Sequence, residues 1–204
     1  MVPIVYEDDH LLVIDKPSGM LAHPTAHARD GTALDAVRAH VGPTIDPKPV
    51  HRLDRGTSGL LLFAKQPRAL AVLMRHFAER RVEKSYVAIV HGTLATEGIE
   101  VTAPIGRVGN RWDATPDGRP AHTTLRGLTS SDARTRVALT PHTGRTHQLR
   151  IHCAGLGHPI VGDPERSTAT ERLHLHAERL VFLHPAGSGP VVCASPAPIG
   201  LFWP

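Results

Sequence analysis

The chain has 204 residues, of which 41% are hydrophobic, and it carries a net charge of +4. This composition excludes a disordered chain, and no apolar run reaches the roughly eighteen residues that a membrane-spanning helix needs. The mild excess of positive charge fits a polyanionic partner such as RNA, although many proteins without such a partner share it.

The amino terminus and the cysteines indicate the compartment. Residues 1–4 lack the basic and apolar regions of a signal peptide. We therefore expect a cytoplasmic protein in which Cys153 and Cys193 are reduced thiols. The length favours a single domain over residues 1–204, and we expect a monomer with no membrane partner.

The first forty residues predict two strands and a helix. Residues 2–6 and 11–15 have the composition of strands and are joined by an acidic turn. Thr32 and Asp35 resemble a capping box, with Asp in place of Glu, which would open a helix toward Val41.

The segment 51–59, His-Arg-Leu-Asp-Arg-Gly-Thr-Ser-Gly, stands directly before an apolar run at 60–64. The run predicts a buried strand, which would anchor the preceding turn. Gly56 and Gly59 permit backbone conformations that other residues avoid, so the turn can hold Asp54 at a fixed place. The flanking arginines favour an ionised carboxylate, which could be a nucleophile, a general base or a salt-bridged turn residue.

A helix is predicted to begin at Pro67 and to run to about Arg80, because Pro suits the first helical position. One face carries apolar side chains at helical spacing and should pack in the core: Leu70, Leu73, Met74 and Phe77. The opposite face should meet water or phosphate, and it carries Arg68, Arg75, His76 and Arg80.

Residues 85–90 predict a strand with Tyr86 near its start, and residues 97–105 predict a weaker one. Residues 106–120 show no periodicity, so we expect a long loop that is either functional or disordered. The Arg and Trp of this loop suit contact with RNA, since an indole stacks on a base and a guanidinium meets phosphate.

Residues 123–128 and 135–139 predict two strands that pair through a polar turn. Thr146 would cap a helix that runs through Leu156 and ends at the following glycine. Arg150 lies near the edge of the buried face of that helix, so its guanidinium could reach a protein carboxylate instead of water. Residues 173–183 predict a further strand.

Fifteen histidines raise the question of a metal site. His147 with His152, or His174 with His176, are possible ligand pairs. No Cys/His set has zinc-finger spacing, however, and no predicted helix carries His at positions i and i+4. We therefore expect no metal.

Five segments, in order along almost the whole chain, resemble the motifs of the RluA-type pseudouridine synthases. The most specific is the catalytic-Asp signature, which continues through the apolar run after residue 59. The matching residues are 15–24, 51–65, 84–86, 143–152 with 157–163, and 175–177 with 184–185.

The resemblance implies an α+β pseudouridine synthase fold, in which a mixed, mostly antiparallel sheet is flanked by helices and loops around a basic cleft. It implies an enzyme that isomerises uridine in ribosomal or transfer RNA without a cofactor, with Asp54 as the catalytic residue. Tyr86 would stack on the uracil and offer a proton acceptor, and Arg150 would pair with Asp54 and keep it ionised. The first motif begins at residue 15, so we expect no S4-like RNA-binding domain before it.

A stacked uridine presents neither its sugar carbon nor its base face, so we expect the enzyme to extrude the target nucleotide. Arg52 is the candidate to fill the vacated space, and Arg145 is the candidate to contact a phosphate. The other predicted RNA contacts are Arg55, Lys84, His147, Arg111 and Trp112.

Two functions of other classes stay open. The first is an RNA-binding module without catalysis, acting as a folding chaperone. The presence of Asp54, Tyr86 and Arg150 together argues against it, because binding alone needs no carboxylate facing RNA phosphates. The second is a metal-dependent hydrolase built on the histidines, which activity in excess chelator would exclude.

Overall fold

The computed structural model describes residues 2–25, 29–167 and 172–198. The chain is α+β, as predicted, and its paired strands are mostly antiparallel. None of the helices in these ranges is both long and apolar enough to cross a membrane.

The chain forms two compact units. Unit 1 comprises Met1–Glu83 and Ala177–Pro196, and unit 2 comprises Lys84–His176 and Ala197–Pro204. The single catalytic domain over residues 1–204 stays a prediction.

Unit 1 combines six strands with two helices in the part of the chain that the structure describes. They are β1 (Ile4–Glu7), β2 (Leu11–Lys16), α1 (Ala33–Val41), β3 (Lys48–Pro49), β4 (Ser58–Ala64), α2 (Pro67–Ala78), β11 (Leu175–Leu183) and β12 (Pro190–Ala194). The first two residues of β11 belong to unit 2. The strand order is β1-β2-β4-β11-β12, with β3 beside β4. Every residue of β4 is buried, which confirms the predicted core strand.

The beginning of β4 requires glycine. Gly59 has φ +107°, and a Cβ at this position would lie 2.3 Å from the carbonyl oxygen of Ala177. A larger residue would therefore push β4 away from β11. The chain can approach this closely only because residue 59 has no side chain.

Helix α1 begins as predicted. The Thr32 side chain accepts the backbone N–H of Asp35, and the Asp35 carboxylate accepts the backbone N–H of Thr32. Helix α2 also begins at Pro67 as predicted, but its buried face differs from the prediction.

Met74 is 54% exposed, whereas His76 is buried. The inward face of α2 follows Ala69, Leu73 and His76, spaced at i, i+4 and i+7. The prediction placed Met74 in the core and His76 on the exposed face, and both assignments were wrong. The apolar stripe therefore predicted the helix correctly, but the face that is actually buried is rotated around the helix axis by part of a turn.

Unit 2 contains most of the remaining elements. They are β5 (Glu83–His91), of which the first residue belongs to unit 1, β6 (Ile99–Val101), β7 (Ile105–Val108), β8 (Arg111–Ala114), β9 (Thr123–Ser131), β10 (Arg134–Pro141) and α3 (Gln148–Gly155). The antiparallel order β5-β10-β9-β6 confirms the strands predicted at 85–90, 123–128 and 135–139. Leu149 and Cys153 of α3 pack with Leu125 and Leu139 in the core of this unit.

Residues 105–114 form the β7–β8 hairpin, so the prediction of a loop without regular structure over 106–120 was wrong there. Gly109, with φ +60°, is the first of two residues that join the strands. A glycine at this position suits a tight hairpin turn. The strands are only four residues long, which hides their periodicity in the sequence.

Helix α3 begins differently from the prediction. Its N-cap is His147 in the left-handed conformation, with φ 56°, and not Thr146. The carboxamide of Gln148 closes this turn instead, since its oxygen accepts the backbone N–H of Arg145 and the hydroxyl of Thr143. Gly157, with φ 83°, follows the helix end as predicted.

The two cysteines are free, as the sequence predicts, and both are buried. Burial raises the pKa of the Cys153 thiol to about 12 and that of Cys193 to about 11. Both are therefore unreactive thiols near neutral pH. Strand β12, which carries Cys193 and pairs with β11, was not predicted.

Candidate active site

Asp54 lies in the irregular segment that leads into β4. Its side chain is half-buried, and the flanking Leu53 and Thr57 are buried. The backbone N–H of Thr57 donates to the carbonyl of Asp54 at 3.1 Å, which closes a turn around the carboxylate. The neighbouring strand anchors this turn, as predicted.

Lys16 at the end of β2 ties a second loop to the Asp54 turn. Its side chain is completely buried. The ammonium donates to the carbonyl oxygens of Pro17 at 2.9 Å, Met20 at 2.8 Å and Arg55 at 3.3 Å. A buried ammonium needs such partners, because burial without them would disfavour the charged form strongly. Lys16 thus joins the loop at 17–20 to the residue that follows Asp54.

Three further hydrogen bonds connect the same two loops. The Ser18 hydroxyl donates to the carbonyl of Gly56 at 2.6 Å. The backbone N–H of Gly19 donates to the carbonyl of Arg55 at 2.8 Å, and Nε of Arg55 donates back to the carbonyl of Gly19 at 2.9 Å. Because backbone groups take part in each bond, the Asp54 turn has a fixed shape before any ligand arrives.

His51 fixes the start of the same segment. Its Nε2 accepts the backbone N–H of Leu62 at 3.1 Å, and its ring stacks on Phe77 at 5.0 Å between centroids. The imidazole therefore connects the segment to both β4 and α2. The sequence alone did not indicate this connection.

Tyr86 lies on β5, opposite Leu139 of β10. The side chain is half-buried and packs at the margin of the unit 2 core. The strand position was predicted correctly. Lys84, two residues earlier, is also half-buried, and burial lowers the pKa of its ammonium.

Arg150 is buried, with only 5% of its side chain exposed to solvent. Its Nε and Nη2 donate to the two carboxylate oxygens of Asp163 at 2.9 and 2.6 Å, and Nη2 also donates to Glu165 at 3.0 Å. The prediction that Arg150 reaches a protein carboxylate is confirmed for these two residues. The pairing of Arg150 with Asp54 stays a prediction.

Asp163 is completely buried, so its charge state depends on these bonds. Burial alone would raise the pKa of Asp163, but the hydrogen bonds from Arg150 and from the backbone N–H of Glu165 outweigh it, and the pKa lies below its ordinary value. The carboxylate is therefore ionised at neutral pH and orients the guanidinium in a bidentate pair.

The ion pair extends to the β7–β8 hairpin. Arg166 donates to Glu165 at 3.1 Å and to the backbone carbonyl of Trp112 at 2.6 Å. The Trp112 ring is half-buried against Ile105 and Ile151, so only part of it is available to a base. Sequence reasoning did not assign a role to Asp163, Glu165 or Arg166, although Asp163 stood within one of the resembling motifs.

The other predicted RNA contacts occupy different settings. Arg52, Arg55 and Arg111 are exposed, and Arg111 lies 2.9 Å from the carboxylate of Asp113. Arg145 is half-buried, with its Nε donating to the carbonyl of Pro120 at 2.9 Å.

His147, also half-buried, has its Nδ1 3.5 Å from Glu165. The positions of these side chains are thus defined, whereas their contacts with RNA stay predictions.

Residues 10–155 match a family model described as RNA pseudouridylate synthase. Ribosomal large subunit pseudouridine synthase D of Nitrosomonas europaea is 39% identical over 214 residues, which cover 96% of this chain and 62% of that protein. The dual-specificity RNA pseudouridine synthase RluA of Pasteurella multocida is 42% identical over 196 residues, which cover 89% of this chain and 87% of that protein. The chain thus spans less than two thirds of the first relative and most of the second.

A solved structure, human RNA pseudouridylate synthase domain containing 1, superposes with a TM-score of 0.81 at 30% identity. The match covers 97% of this chain and 84% of the human one. The pseudouridine synthase fold expected from the resemblance is therefore confirmed.

Proposed function

The chain belongs to the RNA pseudouridylate synthase family, and from this premise we propose that it converts uridine in RNA to pseudouridine. The observation that carries the proposal is the match over residues 10–155, a range that includes Asp54, Tyr86 and Arg150. In this reaction the N1–C1′ bond breaks and a C5–C1′ bond forms, while C5 loses a proton and N1 gains one. Nothing is oxidised and no group is imported, so the reaction needs no cofactor.

Asp54 is the proposed catalytic residue. It would act as a carboxylate, either on the anomeric carbon or on the base. The rigid attachment of its turn to β4 and to the Lys16 loop supports this role. A reacting group held in one place does not have to be ordered during the reaction.

Tyr86 is proposed to cover one face of the uracil and to accept a proton through its hydroxyl. A Tyr86→Phe variant separates these roles from core packing, because phenylalanine retains the ring. We expect this variant to unfold at the same temperature as the wild type but to turn over more slowly. An unchanged turnover would leave only packing and stacking for this ring.

Arg150 is proposed to keep the Asp54 carboxylate ionised. The buried pair with Asp163 supports this role indirectly, since it gives the guanidinium one orientation. An arginine is better suited than a lysine, because its planar fork can meet more than one carboxylate at once.

RNA binding is proposed to rely on phosphate contacts and on extrusion of the target nucleotide. Arg52 is the proposed brace for the vacated stack, and Arg145 a phosphate contact. Arg55, Lys84, His147, Arg111 and Trp112 complete the proposed RNA surface. The affinity should fall steeply with salt, because each neutralised phosphate releases counterions.

The substrate is proposed to be ribosomal or transfer RNA, in the cytoplasm, with the enzyme acting as a monomer. A relative named for the large ribosomal subunit supports the ribosomal class, and the proposal of transfer RNA rests on the sequence resemblance alone. An unchanged RNA affinity and turnover in Arg52→Ala would remove the proposed role of that side chain.

The test is to incubate the protein with cellular RNA that lacks pseudouridine and to map the new sites. We expect modification at defined uridines by the wild type and by Asp9→Ala, which removes an exposed carboxylate outside the motif, but not by Asp54→Ala. Modification by Asp54→Ala would end the assignment of Asp54.

Two outcomes of the same incubation distinguish the other functions. A wild type that binds RNA but modifies neither RNA class would favour the chaperone. We also expect activity to persist in excess chelator, which would exclude the metal-dependent hydrolase.

A further inference from the structure

Three neighbouring strands of unit 2 bring together two histidines and a glutamate that the isomerisation does not use. Glu100 lies on β6, the edge strand of the β5-β10-β9-β6 order. His122 directly precedes β9, and His142 directly follows β10. The backbone N–H of His142 donates to the carbonyl of His122 at 3.0 Å, so the two residues continue the β9–β10 ladder as a cross-strand pair.

The side chains of these residues face one another. The imidazoles of His122 and His142 stack at 4.3 Å between ring centroids. Nε2 of His122 contacts Oε2 of Glu100 directly. One donor atom from each of the three residues lies within 4.8 Å of the other two. In the described part of the chain, no other group of three His, Cys, Asp or Glu residues meets this criterion.

A hydroxyl supports two of the three side chains. Thr124 donates to Oε1 of Glu100 at 2.7 Å, and its oxygen lies 2.7 Å from Nε2 of His142. Metal-binding side chains typically have such partners, which hold the ligands in position.

The backbone at His122 is equally constrained. Its N–H donates to the Thr143 hydroxyl at 2.9 Å, and its carbonyl accepts the Gln148 carboxamide at 2.9 Å. The donors therefore project from a fixed backbone.

We propose that Glu100, His122 and His142 bind a first-row divalent transition metal ion, with Zn²⁺ as the best match. Two imidazole nitrogens and one carboxylate oxygen form a set that Zn²⁺ binds, with a water molecule in the fourth position. Tetrahedral Zn²⁺ with bonds of about 2.1 Å places its ligand atoms about 3.4 Å apart. The donor atoms lie within 4.8 Å of one another, and the exposed or half-buried positions of the side chains leave them free to adjust to this spacing.

The donor set also favours Zn²⁺ over Mg²⁺ and Ca²⁺. Mg²⁺ and Ca²⁺ prefer oxygen ligands, and only one of the three donors is an oxygen. Bound Zn²⁺ would link β6, β9 and β10, and thus join the three-residue edge strand to the centre of its sheet. The proposed isomerisation uses none of these three side chains, so the metal would stabilise unit 2 without taking part in the reaction.

The test is a titration of the chelator-treated full chain with Zn²⁺ against a chromophoric chelator. We expect one saturable site in the wild type. His142→Gln should weaken binding by at least about 100-fold, since loss of a supporting residue alone costs about 10–100-fold. Glu100→Gln should weaken it similarly, and Thr124→Val by about 10-fold.

His40→Gln is the matched control. His40 is also exposed and contacts a single glutamate, Glu7, at 2.7 Å. We expect this variant to bind Zn²⁺ like the wild type, and Zn²⁺ to raise the unfolding temperature of both but not that of His142→Gln. Excess Mg²⁺ should not displace Zn²⁺.

Two results would overturn the proposal. One is the absence of saturable Zn²⁺ binding by the wild type. The other is equal binding by the wild type, His142→Gln and Glu100→Gln, which would assign the metal to other histidines. Because every readout is binding or unfolding, neither result depends on whether the protein modifies RNA.

Discussion

Asp54 and Arg150, the two charged residues proposed for catalysis, are positioned in different ways. The Asp54 turn is connected to its surroundings largely through hydrogen bonds of backbone carbonyl and N–H groups. The buried ammonium of Lys16 donates to three of these carbonyls. Arg150 is oriented by the carboxylates of Asp163 and Glu165. The shape of the Asp54 turn should therefore change little when most of its side chains are substituted. The orientation of Arg150 should change whenever the charge of one of its carboxylate partners is altered.

The largest effect is expected from Asp163→Asn, which removes the completely buried one of the two carboxylates that compensate the charge of Arg150. Breaking a buried ion pair from one side costs about 3–5 kcal/mol, because the remaining charge stays buried. We expect the free energy of unfolding, measured with urea, to fall by about 4 kcal/mol. Asp46→Asn is the control, since Asp46 pairs with Arg38 on the surface at 3.0 Å, and this variant should leave the free energy of unfolding nearly unchanged. Equal losses in the two variants would contradict the assigned role of Asp163.

The next largest effect is expected from Gly59→Ala at the start of β4. The new Cβ would meet the Ala177 carbonyl and would also have to adopt a positive φ, so we expect a loss of about 3 kcal/mol in unfolding free energy. Gly42→Ala separates the two causes, because Gly42 has φ +81° but no atom within 4 Å of an added Cβ. Because Gly42 has ψ 175°, in a region essentially restricted to glycine, we expect Gly42→Ala to cost about 1–2 kcal/mol, still less than Gly59→Ala. A similar loss in both variants would show that φ strain alone matters and that β11 yields to the added methyl.

A smaller effect is expected from Lys16→Met, which keeps most of the length of the side chain but removes its hydrogen-bond donors. The carbonyls of Pro17, Met20 and Arg55 would lose this partner, at a cost of about 2 kcal/mol in unfolding free energy. Turnover should fall with it, because the residue after Asp54 would be less restrained. Lys48→Met, at an exposed lysine that pairs with Asp46, is the control and should leave both quantities nearly unchanged. If Lys16→Met kept full turnover, the buried ammonium would have no part in shaping the Asp54 turn.

The smallest effect is the loss of folding stability at low pH, and it extends the comparison to a third carboxylate, Asp8 in unit 1. Burial alone would raise the pKa of Asp8, but the backbone N–H groups of His10 and Leu11 with the side chains of Tyr6 and His184 lower it to about 2. A carboxylate with a folded-state pKa below the unfolded value of about 3.9 adds stability at higher pH and loses it as the pH falls toward 2. We expect Asp8 to contribute about 1–2 kcal/mol of this loss.

Asp8→Asn should therefore flatten the dependence of unfolding free energy on pH between about 5 and 2. The carboxylate of Asp46, exposed and paired with Lys48 and Arg38, provides the comparison, and Asp46→Asn should change this slope little. An unchanged slope in Asp8→Asn would assign the acid sensitivity to other groups.

The features that local sequence determines were predictable. The buried strand after Asp54, the capping box at Thr32 and the strand position of Tyr86 each follow from residues within a few positions of one another. The expectation that Arg150 reaches a carboxylate was also sound, because it rested on the edge of a helical face.

The features that depend on distant contacts were not predictable from one sequence. The partner of Arg150 lies thirteen residues away in an irregular segment, and the carbonyl of Arg55 lies thirty-nine residues from Lys16. The cluster of Glu100, His122 and His142 forms only when three strands pair. The spacing of these residues along the chain does not match a known metal-binding motif. The sequence analysis therefore considered other histidine pairs, His147 with His152 and His174 with His176.

The most direct test of the proposed function is a single-turnover assay of Asp54→Asn at saturating RNA, with RNA affinity measured on the same protein. The substitution keeps the shape of the side chain and removes only its charge, so the surrounding hydrogen bonds should persist. We predict that pseudouridine formation slows by at least about 100-fold while the affinity for RNA changes by no more than about twofold. A rate within about twofold of the wild type would contradict the proposed mechanism, since a carboxylate at position 54 would then not be needed for the reaction.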